Sequence, residues 1–270
     1  MATAGHLRRT LAGLIALAIG TAACAGELVN LPTRPGVTLN YWLQVPTDAE
    51  PEVVALLFVG GEGAVHLPKH VNGASTSFSA GANMLIRIED QLGATPIATA
   101  LLDSPSDHES GMSDGFRMGS DHATDVAAVL DDLHKRFPHA RRVLIGTSRG
   151  TISVARLATR LADRIDGIVL TSLVIRSTRN SSGLSGIDWD DIKVPTLLVQ
   201  HHDDNCIACP YYAVEHLAKQ FPLVTVHGGK PAESDECEPL SHHGFYGKEA
   251  EVTAVLRRWM LHQPFTQDIE

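Results

Sequence analysis

The stretch Val143-Leu144-Ile145-Gly146-Thr147-Ser148-Arg149-Gly150-Thr151 constrains the fold more tightly than any other part of the chain. Apolar, β-favouring residues run into a Gly-x-Ser-x-Gly pentapeptide, and a helical pattern opens at Thr151. A serine hydroxyl is a weak nucleophile unless it stands exposed beside a base, and a sharp strand-to-helix turn pushes its oxygen out of the sheet. Such a turn strains the serine backbone and crowds its neighbours, which is why glycine flanks it on either side. The helix that follows points its first amides toward a developing oxyanion. Ser148 is therefore the candidate nucleophile. The bland alternative is a tight βα turn with a capping serine, and the pentapeptide alone does not separate the two.

The same alternation of apolar strand and amphipathic helix runs through the chain. Val37 to Val45 and Val53 to Val59 read as strands, Gly81 to Leu92 as a helix, and Pro96 to Leu102 as a buried strand. Asp121 to Phe137 is a helix with Val126, Val129, Leu130 and Leu133 on one face, and Pro138 ends it. Arg142 to Thr147 is a strand and Thr151 to Ala162 a helix. Gly167 to Ser172, Pro195 to Gln200 and Leu223 to Val226 are further strands, with helices at Tyr211 to Lys219 and Lys248 to Leu261. Continuous apolar strands between helices predict an α/β fold, a mainly parallel central sheet covered on both faces. A length of 270 residues fills one such domain and is short for two. The Ser-, Gly- and Asn-rich segment Arg176 to Asp191 is too short for a cap domain, so a minimal lid is expected. A net charge of −9 excludes nucleic acid as a partner, because phosphate binding needs a basic face.

The first residues follow a different logic. Arg8 and Arg9 precede an apolar run from Leu11 to Ile19, and small residues continue through Ala25. That order is a secretory signal, with an apolar run too short to span a bilayer. The division expected is a signal peptide over 1–25 and a domain over 26–270, exported to the periplasm or secreted. Thr21-Ala22-Ala23-Cys24 offers a second reading, a lipid anchor on Cys24, and an uncleaved anchor is the third.

Three further segments complete the pattern. The strand at Pro195 empties into His201-His202-Asp203-Asp204-Asn205, and Leu240-Ser241-His242-His243-Gly244-Phe245 precedes the last helix. Leu56-Leu57-Phe58-Val59 runs into Gly60-Gly61-Glu62-Gly63, a loop of bare backbone. With Asp103-Ser104-Pro105-Ser106-Asp107, and Cys237 upstream of His243, the chain resembles the α/β-hydrolase superfamily over essentially everything after Gly26. More narrowly it is similar to a group of exported bacterial members. The resemblance implies the α/β-hydrolase fold and a triad in the order Ser, Asp or Glu, His. In that superfamily the acid strand commonly ends in a five-residue run closing on Asp. Gln200 to Asp204 fits the run and selects Asp204 ahead of Asp203, although Gln200-His201 replaces the usual His-Gly and keeps Asp203 open. His-Gly-Phe favours His243 over His242. The amide of Arg149 and that of Gly61 or Glu62 are the expected oxyanion donors. The implied chemistry is hydrolysis of a small-molecule ester, less so an amide or thioester, through an acyl-enzyme and without a cofactor. An acyltransferase on the same triad and a non-catalytic binding protein are the alternatives. Arg117, Asp121, His122, Arg149 and the run Asp103 to Asp107 either shape the pocket or form salt bridges and helix caps.

The cysteines add a prediction. Cys206 lies two residues after Asp204 and Cys237 six before His243, on loops that must converge if acid and base meet. A Cys206–Cys237 disulfide would clamp them, with Cys209 able to take the place of Cys206. The spacing Cys206-x-x-Cys209 and the pairs His201-His202 and His242-His243 are also what a metal would need. Their position at the two triad loops explains them more economically, so no metal is expected.

Overall fold

The computed structural model describes residue 1 and residues 24–67, 81–179 and 181–270. Most of the expected signal, residues 2–23, lies outside them, and so does 68–80.

Nine strands form one sheet: β1 (Cys24–Arg34), β2 (Val37–Pro46), β3 (Val53–Phe58), β4 (Ile97–Leu102), β5 (Arg141–Thr147), β6 (Gly167–Thr171), β7 (Thr196–His201), β8 (Leu223–Val226) and β9 (Asp268–Ile269). Their order across the sheet is β1-β2-β4-β3-β5-β6-β7-β8-β9. β2 pairs antiparallel with β1 and β4, and every other neighbouring pair is parallel. The helices are α1 (Met84–Leu92), α2 (Asp114–Arg117), α3 (Ser120–Arg136), α4 (Gly150–Arg160), α5 (Tyr211–Glu215) and α6 (Glu249–Met260).

Strand alternation divides the core into two layers. Val54, Leu56, Leu144, Ile168, Leu170 and Leu198 face α3 and α4, which bring Val126, Val129, Leu130, Leu133, Ile152 and Leu157. Val53, Leu57, Val143, Ile145, Val169 and Val199 face the other way, onto Leu85, Ile88 and Leu92 of α1 and Val252 and Leu256 of α6. Every residue of β3, β4, β6 and β7 is buried, which is what makes these strands read as unbroken apolar runs.

The elements expected from the sequence are present, with bounds moved by a residue or a few. α1 starts at Met84 because the Asn83 side chain accepts from Leu85 N–H and caps it. The helix expected to reach Lys219 is α-helical only to Glu215 and finishes as a 3₁₀ turn. β1, β9 and the four-residue α2 have no counterpart in the sequence reading. The segment from Arg176 to Asp191 holds a Thr178–Ser181 bridge and a 3₁₀ turn at Trp189–Asp191. Ser181 Oγ and Ser182 N–H both donate to Asp114, which pins this strip to the body.

Candidate active site

Ser148 stands between β5 and α4 with φ at +52°, a left-handed backbone that costs a side-chain-bearing residue energy. Two bonds hold it there: its N–H donates to Thr171 O at 3.0 Å, and its carbonyl accepts from Thr151 N at 2.9 Å. The flanking glycines answer crowding alone. A Cβ on Gly146 would fall 2.6 Å from Gly150 O, and one on Gly150 would fall 2.1 Å from Phe58 O. Gly60, across from the serine, has no room either, since its Cβ would lie 2.8 Å from Ser148 Cβ.

β7 delivers the carboxylate. Asp204 is buried, and His243 Nδ1 donates to its Oδ2 at 3.0 Å. Gln200 Nε2 donates to the same oxygen at 3.0 Å, and Cys206 N–H donates to Oδ1 at 2.9 Å. With Nδ1 committed to the carboxylate, His243 Nε2 is left as acceptor for the Ser148 hydroxyl, 3.0 Å away. The residues beside these point elsewhere. Asp203 is exposed and pairs with His202 at 2.8 Å, which holds its carboxyl below the usual carboxylate range. His242 stacks on His201, the rings 4.4 Å apart and 4° from parallel.

The histidine loop is anchored in part by Arg87 and Ser172, which gave no functional signal in the sequence. Arg87 of α1 donates to Pro239 O at 3.0 Å and Gly244 O at 2.7 Å, and its guanidinium pairs with Glu249 at 2.9 Å. Ser172, itself at φ +48°, donates from Oγ to His243 O. Gly244 is obligatory, because a Cβ would land 1.8 Å from Pro239 O. Gln200 bonds Leu173 N–H and Cys209 O as well as Asp204, tying β7, the strand β6 exit and the acid loop together.

Cys206 and Cys237 are bridged, their Cα atoms 4.6 Å apart, and the bridge joins the Asp204 loop to the His243 loop. Cys209 is buried as a free thiol, and burial raises its pKa, keeping it protonated and unreactive. Cys206, Cys209 and His243 lie close enough together to suggest a metal. With Cys206 spent in the disulfide and both ring nitrogens of His243 engaged, they are not a ligand set.

A cavity of about 200 Å³ opens over the serine, lined by Gly60, Gly61, Asn83, Met84, Pro239 and Gly244. The turn Gly60–Gly63 forms one wall, and among the described residues the amides of Gly61, Glu62 and Arg149 donate to no protein acceptor. Arg149 is not free to bind a substrate anion: its guanidinium pairs with Asp114 and Glu62, both at 2.9 Å. Asp103 supports the next segment, accepting from the amides of Val65, His66 and Leu67 at 2.8–3.1 Å. Asp107 and Asp121 pair with Arg34, away from the serine. Arg117 and His122 are buried beneath the Gly60 turn.

No protein-family model and no curated protein matches the chain. Solved structures do. An α/β serine hydrolase homologue from Coxiella burnetii is 18% identical with a TM-score of 0.57, over 88% of this chain and 99% of that one. An α/β serine hydrolase without a lid from Xanthomonas campestris is 19% identical with a TM-score of 0.57, over 90% and 96%. A dienelactone hydrolase from Anabaena variabilis is 17% identical with a TM-score of 0.56, over 89% and 98%. These likenesses span nearly the whole sheet and its helices, and they show that this chain has the α/β-hydrolase fold.

Proposed function

We propose that the chain is a serine hydrolase that cleaves small esters through an acyl-enzyme on Ser148. One observation carries the reading: a buried carboxylate, an imidazole and a hydroxyl joined by two 3.0 Å hydrogen bonds, with the hydroxyl facing an open cavity. His243 Nε2 takes the Ser148 proton as Oγ attacks the ester carbonyl. Asp204 holds the ring and balances the imidazolium charge. The alcohol leaves with the proton from His243, and water attacks the acyl group by the same route in reverse. The Gly61 or Glu62 amide and the Arg149 amide stabilise the oxyanion in both halves. Among the described residues the cavity of about 200 Å³ has a short surface strip nearby, which fits a short acyl group and a site open to water. That favours water over a second alcohol as acceptor. The reading extends to export, with 1–25 removed or Cys24 lipidated, and the disulfide on the site loops is in keeping with an oxidising compartment.

A panel of p-nitrophenyl esters of increasing acyl length tests it, alongside labelling by a fluorophosphonate. The expected result is fastest turnover on the shortest acyl chains and a single label on Ser148. The Ser148→Ala variant should lose turnover by a factor on the order of 10⁴ or more. Near-normal turnover by a folded Ser148→Ala protein would falsify the assignment.

A further inference from the structure

The loop leaving β3 contains a β-turn: Gly63 N–H closes on Gly60 O at 3.1 Å, with Gly61 and Glu62 at its corners. Gly61 sits at φ +57° and Glu62 does not have a positive φ. The peptide between the two corners is the unit whose orientation distinguishes related turn types, and a flip reverses its carbonyl and its N–H together. One side chain grips that peptide. Arg117 Nη2 donates to Gly61 O at 3.0 Å. Because a trans peptide sets its C=O and N–H in opposite directions, the Glu62 N–H faces away from Arg117. Gly60, on the same turn, abuts Ser148.

Arg117 is itself held from several sides. It ends α2, and its Nη1 donates to Ser153 Oγ on α4 at 3.1 Å. Gly63 makes room for it, since a Cβ there would fall 2.5 Å from Nη2. The side chain is 1% exposed, and Nε has no hydrogen-bond partner among the described residues. The two acidic groups whose charge reaches it, Asp114 and Glu62, are paired with Arg149 instead. Burying a guanidinium without a carboxylate is costly, and burial lowers its pKa to about 10 while leaving it charged at neutral pH. An apolar side chain would fill the same volume with less desolvation, so packing does not account for an arginine here. Its hydrogen bond to the turn does.

We propose that Arg117 is a positioning residue: it locks the Gly61–Glu62 peptide so that the Glu62 N–H is presented to the oxyanion. The proposal rests on the serine-hydrolase reading above. As Ser148 Oγ bonds to the acyl carbon, its proton passes to His243 and the carbonyl electron pair moves onto oxygen. That oxygen needs an amide already in place. The second donor belongs to Arg149, whose guanidinium is tied to the Glu62 carboxylate at 2.9 Å. The two halves of the hole are thereby joined.

The test compares p-nitrophenyl acetate with its thiono analogue, in which sulfur replaces the carbonyl oxygen and gains little from amide donors. In Arg117→Met, kcat on the oxo ester should fall about 10- to 100-fold, with KM changed less than about threefold. The thiono ester should change less than about twofold, so the oxo-to-thiono ratio drops by roughly tenfold or more. Arg117→Lys keeps the charge and one donor and should recover part of that ratio. If Arg117→Met does not fold by circular dichroism, Arg117→Lys against wild type decides, with at least a roughly threefold drop in the ratio expected. Parallel losses on both esters, or no loss, overturn the proposal. Wild type that neither turns over the oxo ester nor takes the fluorophosphonate on Ser148 removes the serine-hydrolase reading and the proposal with it. An active, labelled wild type whose ratio the variants leave unchanged removes the proposal alone.

Discussion

Asp203 and Asp204 share a backbone bond but not an environment. Asp204 accepts from His243, Gln200 and the Cys206 amide inside the protein, whereas Asp203 lies in water against His202. Asp204→Asn places an amide where His243 needs an acceptor, so kcat should fall by about 10⁴-fold. Asp203→Asn should stay within about twofold, an exposed pair contributing little. Rates for the two purified variants check this, and the reverse order would move the acid to Asp203. Ser148 was legible because the elbow has a sequence form of its own, apolar strand, glycine, serine, glycine, helix. The choice within the Asp and His pairs rested on resemblance, because adjacent residues on one turn differ only in direction. That direction is set here by Gln200 and by the His201–His242 stack, and neither leaves a mark in a linear pattern. Arg87 was opaque for the same reason, since a half-buried arginine bound to carbonyl oxygens reads in sequence as one more surface charge, and Arg117 could be placed near the pocket but not onto the carbonyl it holds.

At the scale of elements, legibility followed burial. Strands covered on both faces announce themselves as apolar runs, and β3 to β8 were all found. β1 escaped because it is an edge strand of a hairpin, with Asn30, Pro32 and a register shift between Pro32 and Arg34 breaking any period. The Asp204 loop has no regular structure and the His243 loop only a 3₁₀ turn at His242–Gly244, and the Cys206–Cys237 bridge fastens one to the other across 31 residues. Breaking it with Cys237→Ser should lower stability by about 2–4 kcal/mol. It should also lower kcat, because Cys206 N–H is one of the bonds that orient Asp204. Thermal melts and turnover on the same preparation, with and without reductant, give both values. A Cys237→Ser protein that melts and turns over like wild type would show that the loops are held without the bridge.

For the molecule as a whole, among the described residues no helix is long and apolar enough to cross a membrane. On the reading proposed, the first residues direct the chain to export. Mass spectrometry of protein from the native host should find a chain starting near Gly26, or a diacylglycerol on Cys24. An intact Met1 in the cytoplasm would defeat export. The far end of the sheet has a consequence of another kind. β9 is two residues long, yet it pairs in parallel with β8 through Thr225↔Asp268 and Val226↔Ile269, and buries Ile269. It acts as a stopper on an otherwise open row of backbone donors and acceptors. Trimming residues 267–270 should leave the catalytic machinery standing and uncover a template for strand exchange. The shortened protein should keep its specific activity when dilute and self-associate as it is concentrated, a change that light scattering across a dilution series will register.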